Sequence, residues 1–321
     1  MLKYAIRRIA GMIPILFLLS VTVFALAKAM PGDALSGEID PTNTSPEYIA
    51  EMREKLGLND PIYVQYGRWI KDFVQGDFGK SFKYKVPASE LIAERIPNTL
   101  FLGIVSLVIT YALSLAMGMY SGKYPYRLGD NAIATANYIA LAIPSFVAAI
   151  VAIYFFSFQL GWFPSTGSVK IGVEPGTFEY WISRIHHVLL PAIVLGAFNT
   201  ASYTQFLRND IIENSQKDFV RTARAKGTNE NDIYNKHILR NSMIPLVTFF
   251  GFDIGGILGG AIIIETIFTY PGIGSLYLNS LTFRDYSVFM AIFMILSLMT
   301  LIGNLIADLL YGVVDPRIRL E

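Results

Sequence analysis

The chain has 321 residues, of which 53% are hydrophobic and only 16% charged, with a formal net charge of +1. Soluble domains carry roughly a quarter charged residues, so this composition points to a membrane protein, and a net charge near zero leaves no electrostatic footprint for nucleic acid. Cysteine is absent and there are three histidines, His186, His187 and His237, which excludes a disulfide framework, a thiolate nucleophile and a cysteine metal site.

MLKYAIRR followed by IAGMIPILFLLSVTVFALA has the charge order of a secretion signal. Its apolar run exceeds the roughly 7–15 residues of a signal core, and Lys28 is followed by MPGD instead of a small-x-small cleavage site. The sequence therefore predicts a retained first transmembrane helix over 9–29 within an N-terminal unit 1–30. Pro31 and Gly32 end the helix, and Pro14 is placed to bend it.

Residues 31–97 are too polar for lipid and hold eight Lys and Arg against eleven Asp and Glu. Between turn signals, EYIAEMREKLG and YVQYGRWIKDFVQ read as short amphipathic helices, so an extracytoplasmic helical region is predicted. GDFGKS at 76–81 imitates the end of a phosphate-binding loop, but Val74 stands where that motif needs glycine.

Five further spans are predicted within a core 98–311. Helix two covers 98–121. Helix three covers 132–158, with Pro144 either bending a pathway or merely kinking a packed helix. Trp162 and Trp181 suit the outer interface. Helix four covers 187–206 and helix five 244–267. TYPGIGSLYLNSLTFRD then forms an outer loop whose glycines suit a re-entrant path, before helix six at 286–311 and a tail 312–321. The segments this topology places in the cytoplasm hold fourteen Lys and Arg against eight Asp and Glu, the asymmetry of an inner side. The expected fold is an all-α integral membrane protein of six transmembrane helices with both termini cytoplasmic.

Three carboxylates lie near the membrane, where acidic side chains are functional candidates. Asp308 suits interfacial pairing, and Glu265 suits a structural partnership with the outer loop. Asp253 lies deepest and either faces a polar pathway or hydrogen-bonds a neighbouring helix.

The basic segment Asp218–Pro245, which overlaps the inner loop 208–243, is the stretch around which the rest is arranged. Asp218 is placed to cap a helix containing VRTARAK, Gly227 breaks it, and ENDIYNKHILRN restarts one. Arg221, Arg224 and Lys226 supply charge, while Thr222, Ala223 and Ala225 are small enough for another surface to approach. Two readings stand: a docking knob held by helices four and five, or a basic loop lying on anionic lipid.

RTARAKG with the later HILRNSMIP resembles the "EAA" loop of binding-protein-dependent ABC importer permeases, in the oligopeptide/dipeptide branch. The resemblance extends in order through GDFGKSF, ERIPNTL, GGAIIIETIFTYPGIG, RDYSVFMA and ADLLYGVVDPRIR, over nearly the whole chain. Where the general family has Glu-Ala-Ala, this chain has Arg221, Thr222 and Ala223. The resemblance implies the type I importer permease fold and the first of two non-identical permease subunits. It also implies two cytoplasmic subunits that use ATP and Mg, and an extracytoplasmic binding protein that delivers peptide. The segment 218–241, including Arg221–Lys226, Gly227, Ile233 and His237, would enter a groove on one ATPase. No cofactor or metal is expected on this chain, which would reside in a bacterial or archaeal cytoplasmic membrane and do no covalent chemistry. Nickel, opine and glycoside importers share this permease type and remain alternatives for the cargo. A secondary transporter would need inverted repeats, and an intramembrane enzyme a nucleophile–base or metal set at membrane depth; neither is visible in the sequence.

Overall fold

The computed structural model describes residues 2–30, 45–55, 57–259 and 261–314, and every described secondary-structure element of length is helical. The turn signals at 31–44 and the tail from 315 lie outside the described residues. Among the described residues four helices are long and apolar enough to cross a membrane: α1 (Leu2–Ala29), α4 (Ala88–Lys123), α7 (Phe178–Ser215) and α14 (Tyr286–Val314). Two short helices, α2 (Pro46–Lys55) and α3 (Ile62–Val74), lie between α1 and α4, where the amphipathic segments are predicted.

The six predicted spans are not six plain rods. Predicted helix three is α5 (Leu128–Ala142) and α6 (Ser145–Ala152), the latter running on as a π-helical turn Ile153–Gln159; the two halves meet at Pro144 with a bend of 103°. Proline removes one backbone donor and clashes with the preceding turn, and Ile143 at the break is extended, with ψ at 125°. Predicted helix five is also divided. A compact knob comes first, as α8 (Asp218–Ala225), α9 (Glu230–Asp232), a π-helical stretch Ile233–Leu239 and α10 (Arg240–Ser242). Then α11 (Ile244–Gly256) is separated from α12 (Ile262–Ile267), and α13 (Ile273–Thr282) leads to α14.

Helix boundaries also move outward. Predicted helix two starts at Ala88, ten residues early, and passes through Pro97. Packing overrides the proline: Ala88, Leu91 and Ile92 are buried against Ile273, Leu276 and Val288. α7 replaces a predicted 187–206 with 38 residues. At about 1.5 Å per residue it is nearly twice as long as the roughly 30 Å hydrocarbon layer is thick, so its ends reach well into the aqueous phases.

Small residues set the helix contacts. On α4, Ser106, Thr110, Ser114, Gly118 and Gly122 recur every four residues and are all buried. A Cβ at Gly118 would meet Leu207 of α7 at 2.9 Å, and one at Gly122 would meet Ile211 at 2.7 Å. α11 and α14 meet through Gly251 and Gly255 on one side and Gly303 and Ala307 on the other. In lipid the helices gain nothing from burying apolar side chains against each other, so close backbone approach of this kind holds them together.

Candidate functional site

The knob is built on the C-terminal end of α7. Val220 and Ala223 of α8, with Ile233 and Ile238 of the π-helical stretch, close over Leu207 and Ile211 of α7 and Leu246 of α11. The remaining polar groups are fastened as well. Asn214 Nδ2 donates to Ser242 Oγ at 2.9 Å, and Tyr234 OH donates to the Met119 carbonyl of α4 at 2.7 Å. Burial pushes the Tyr234 phenol up to about 12, so it remains a donor at any physiological pH.

The bend is a Schellman cap. Gly227 has φ +76°, its N–H donates to the Arg224 carbonyl at 2.9 Å, and the Thr228 N–H donates to the Ala223 carbonyl at 3.2 Å. Asn229 then caps the next helix by accepting from the Asn231 N–H at 2.9 Å. Across the bend Arg224 donates to both oxygens of Glu230, at 2.7 and 3.2 Å, and these hydrogen bonds hold the Glu230 carboxyl below its usual range. Asp218 does not cap α8: it lies in the first turn, after Lys217.

Of the residues predicted to couple, Arg221, Thr222, Arg224, Ala225, Lys226, Gly227 and His237 are exposed. Ala223 and Ile233 are not. They are 7% and 0% exposed, within the chain's own cluster. Their i, i+3 relation to Val220, in the case of Ala223, was the signal that it faces inward; reading it only as a small residue missed that.

A second feature lies deeper. Asp253 of α11 accepts from Tyr111 OH of α4 at 2.7 Å and from Tyr203 OH of α7 at 2.8 Å, so one carboxylate joins three helices. Tyr203 stacks on Phe249 with ring centroids 5.0 Å apart. Asp253 also lines a cleft of about 870 Å³ that includes Pro144 and the break after Gly256. Asp253 thus makes the helix–helix hydrogen bonds of one reading, and it lines a cleft whose walls are mostly apolar.

Glu265 is wholly buried and organises the turn between α12 and α13. Its Oε1 accepts from Thr99 Oγ1 at 2.7 Å and its Oε2 from the Ser275 N–H at 2.9 Å, while Thr99 Oγ1 accepts from the Ile273 N–H at 2.8 Å. The carboxylate thus occupies the N-terminus of α13, where free N–H groups favour negative charge. A Cβ at Gly272 would stand 2.3 Å from that carboxyl, which explains a glycine in YPGIG. Asp308 pairs with Arg8 at 3.2 Å, tying α14 to α1.

Two polar contacts were not foreseen. Asp130 on α5 takes a two-pronged contact from Arg208 on α7, at 2.6 and 2.7 Å. Ser81, in the GDFGKS segment, donates to the buried Asp285 before α14, so that segment is a clasp between loops. Separations of 78 and 204 residues gave neither pair a local signal.

The family described as the binding-protein-dependent transport system inner membrane component matches residues 114–320, and its N-terminal counterpart matches 1–103. The chain belongs to this family. The permease is 43% identical to the oligopeptide transport system permease protein AppB of Bacillus subtilis (strain 168), over 99% of this chain and 100% of that one. It is 36% identical to the glutathione transport system permease protein GsiC of Escherichia coli (strain K12), over 99% of both. It is thus a multi-pass ABC importer permease, a transport component and not an enzyme.

Proposed function

We propose that this permease forms half of the pathway through which oligopeptides or dipeptides enter the cytoplasm, and that the exposed side of the knob seats in a groove on a cytoplasmic ATPase. A second, non-identical permease subunit supplies the other half, two ATP-binding subunits use ATP and Mg, and an extracytoplasmic binding protein delivers the peptide. Both termini face the cytoplasm, and the region 31–97 lies outside, where it helps orient the binding protein.

The full-length likeness to an oligopeptide permease supports the cargo. The observation that carries the coupling role is the fastening of the knob. A loop lying on lipid needs no buried apolar cluster, no hydrogen bond from Tyr234 to α4 and no capped bend. A part that transmits force needs all three, because displacement must pass into α4 and α7 without being absorbed by the loop.

Purification of the assembled transporter with its binding protein, followed by mass spectrometry of the bound ligand, tests the cargo. Peptides on the binding protein, and peptide uptake that disappears when this permease is deleted, are the expected results. A nickel chelate, opine or glycoside in their place overturns the peptide reading while leaving the transport role intact.

A further inference from the structure

The cleft beneath the Pro144 bend has a chemical bias. Asp253 is the single charged side chain among the described residues that line it, and the other polar side chains there are Ser106, Ser145 and Asn199. Each carboxylate oxygen accepts one phenolic hydroxyl, from Tyr111 and from Tyr203. A carboxylate offers about four lone-pair sites, so acceptor capacity is left over toward the cavity. Both neighbours are phenolic hydroxyls that can donate, an arrangement that accommodates an ionised carboxylate. A lone negative charge in an apolar-walled cleft focuses field and concentrates cations locally.

We propose that Asp253 is the cation-recognition point of this half-pathway, receiving the ammonium group of an incoming substrate as it passes the Pro144 bend. This rests on the cleft being part of the translocation pathway, and it adds the charge class that the permease itself prefers. Tyr111 and Tyr203 are positioning residues: they fix the carboxylate at the junction of α4, α7 and α11 and do not themselves supply the charge.

The chain has no native cysteine, so single cysteines at Ser145 and Asn199 report on the cleft without background. The probes are two methanethiosulfonate reagents of similar size, one bearing a trimethylammonium group and one a sulfonate, applied to the assembled transporter in membrane vesicles. The quantity read is the cationic-to-anionic rate ratio, compared between the parent and Asp253→Asn. Asparagine keeps the shape and an acceptor for a tyrosine but loses the charge. The expected result is a ratio about tenfold or more higher in the parent. Asp253→Glu should restore most of it, and Tyr111→Phe with Tyr203→Phe, which releases the carboxylate from its position, should lower it while keeping it above that of Asp253→Asn. A merely structural Asp253 would leave the ratio of Asp253→Asn at the parent value. Equal ratios in parent and Asp253→Asn, or no reaction at either cysteine, overturn the proposal. Because neither reagent is a peptide, these outcomes are independent of the cargo reading, which the ligand mass spectrometry decides separately.

Discussion

Ala223 and Ala225 stand two residues apart on α8 and should fail in different ways when enlarged. Ala223 is 7% exposed and packs with Val220, Leu207, Ile211 and Ile233, so Ala223→Trp forces an indole into the permease's own cluster. Overpacking of this kind costs about 1–3 kcal/mol, occasionally more, and it falls on the isolated subunit. Ala225 is exposed, and Ala225→Trp should leave the isolated permease within about 0.5 kcal/mol of the parent. If the exposed side of the knob seats in an ATPase groove, the same indole meets a packed surface on docking. A penalty of about 1–3 kcal/mol there weakens association by about 5- to 150-fold. The assay pairs thermal unfolding of purified permease with recovery of ATPase subunits on tagged permease and with uptake at matched permease levels. Ala223→Trp should lower the unfolding midpoint, whereas Ala225→Trp should keep it and lose the ATPase. Parent-like recovery and uptake for Ala225→Trp would refute the docking role of this face. Parent-like stability for Ala223→Trp would refute its burial.

Three further outcomes are expected. Gly227 has φ +76° with open space around an added Cβ, so Gly227→Val should cost about 1–2 kcal/mol through backbone strain alone; this reads out as faster amide exchange in 218–232, and unchanged exchange there would show that the left-handed turn is not required. Glu265→Ala strands the Thr99 hydroxyl and the Ser275 N–H in a buried site; at about 1–3 kcal/mol per unsatisfied donor the loss should be about 2–6 kcal/mol in thermal or denaturant unfolding, and a loss under about 1 kcal/mol excludes the cap. For orientation, an impermeant thiol reagent on intact cells should label Asp60→Cys and miss Asn229→Cys; the reverse pattern inverts the topology.

The membrane class, the approximate spans and the knob were legible because they are written in composition and local pattern. A run such as IAGMIPILFLLSVTVFALA or a Gly between two polar helix formers carries its meaning within one element. The breaks were half legible. Pro144 announced a disturbance but not a 103° bend, and helix five was read as one continuous span although its chain is interrupted between Gly256 and Ile262. Glu265 was legible as a partner of the outer loop because TYPGIG follows it directly. Contacts that depend on which distant helices meet were not: Tyr111 reaches Asp253 across 142 residues, and Arg208 reaches Asp130 across 78. Helix ends were misplaced wherever tertiary burial, as at Ala88–Ile92, outweighed the local signal of a proline.

The placement of stiff and weak parts bears on how the proposed coupling would work. α4 and α7 run unbroken for 36 and 38 residues and touch along the stripe of small residues from Ser106 to Gly122. Close backbone packing leaves little room for the two to slide, and the Tyr111–Asp253–Tyr203 contact adds α11 to the same body. The knob is fastened to the C-terminal ends of both long helices, through Tyr234 on α4 and the Leu207–Ile211 cluster on α7. A displacement at the knob is therefore delivered to the level of Asp253 with little loss. The weak points, the Pro144 bend and the interruption between α11 and α12, both line the cleft. Discrete interruptions between stiff elements are where backbone angles can change at low cost, because the hydrogen bonds that would resist are already absent. Motion entering at the knob would thus be spent on reshaping the cleft, and the carboxylate that faces it would move with the long helices, not with the bent pair.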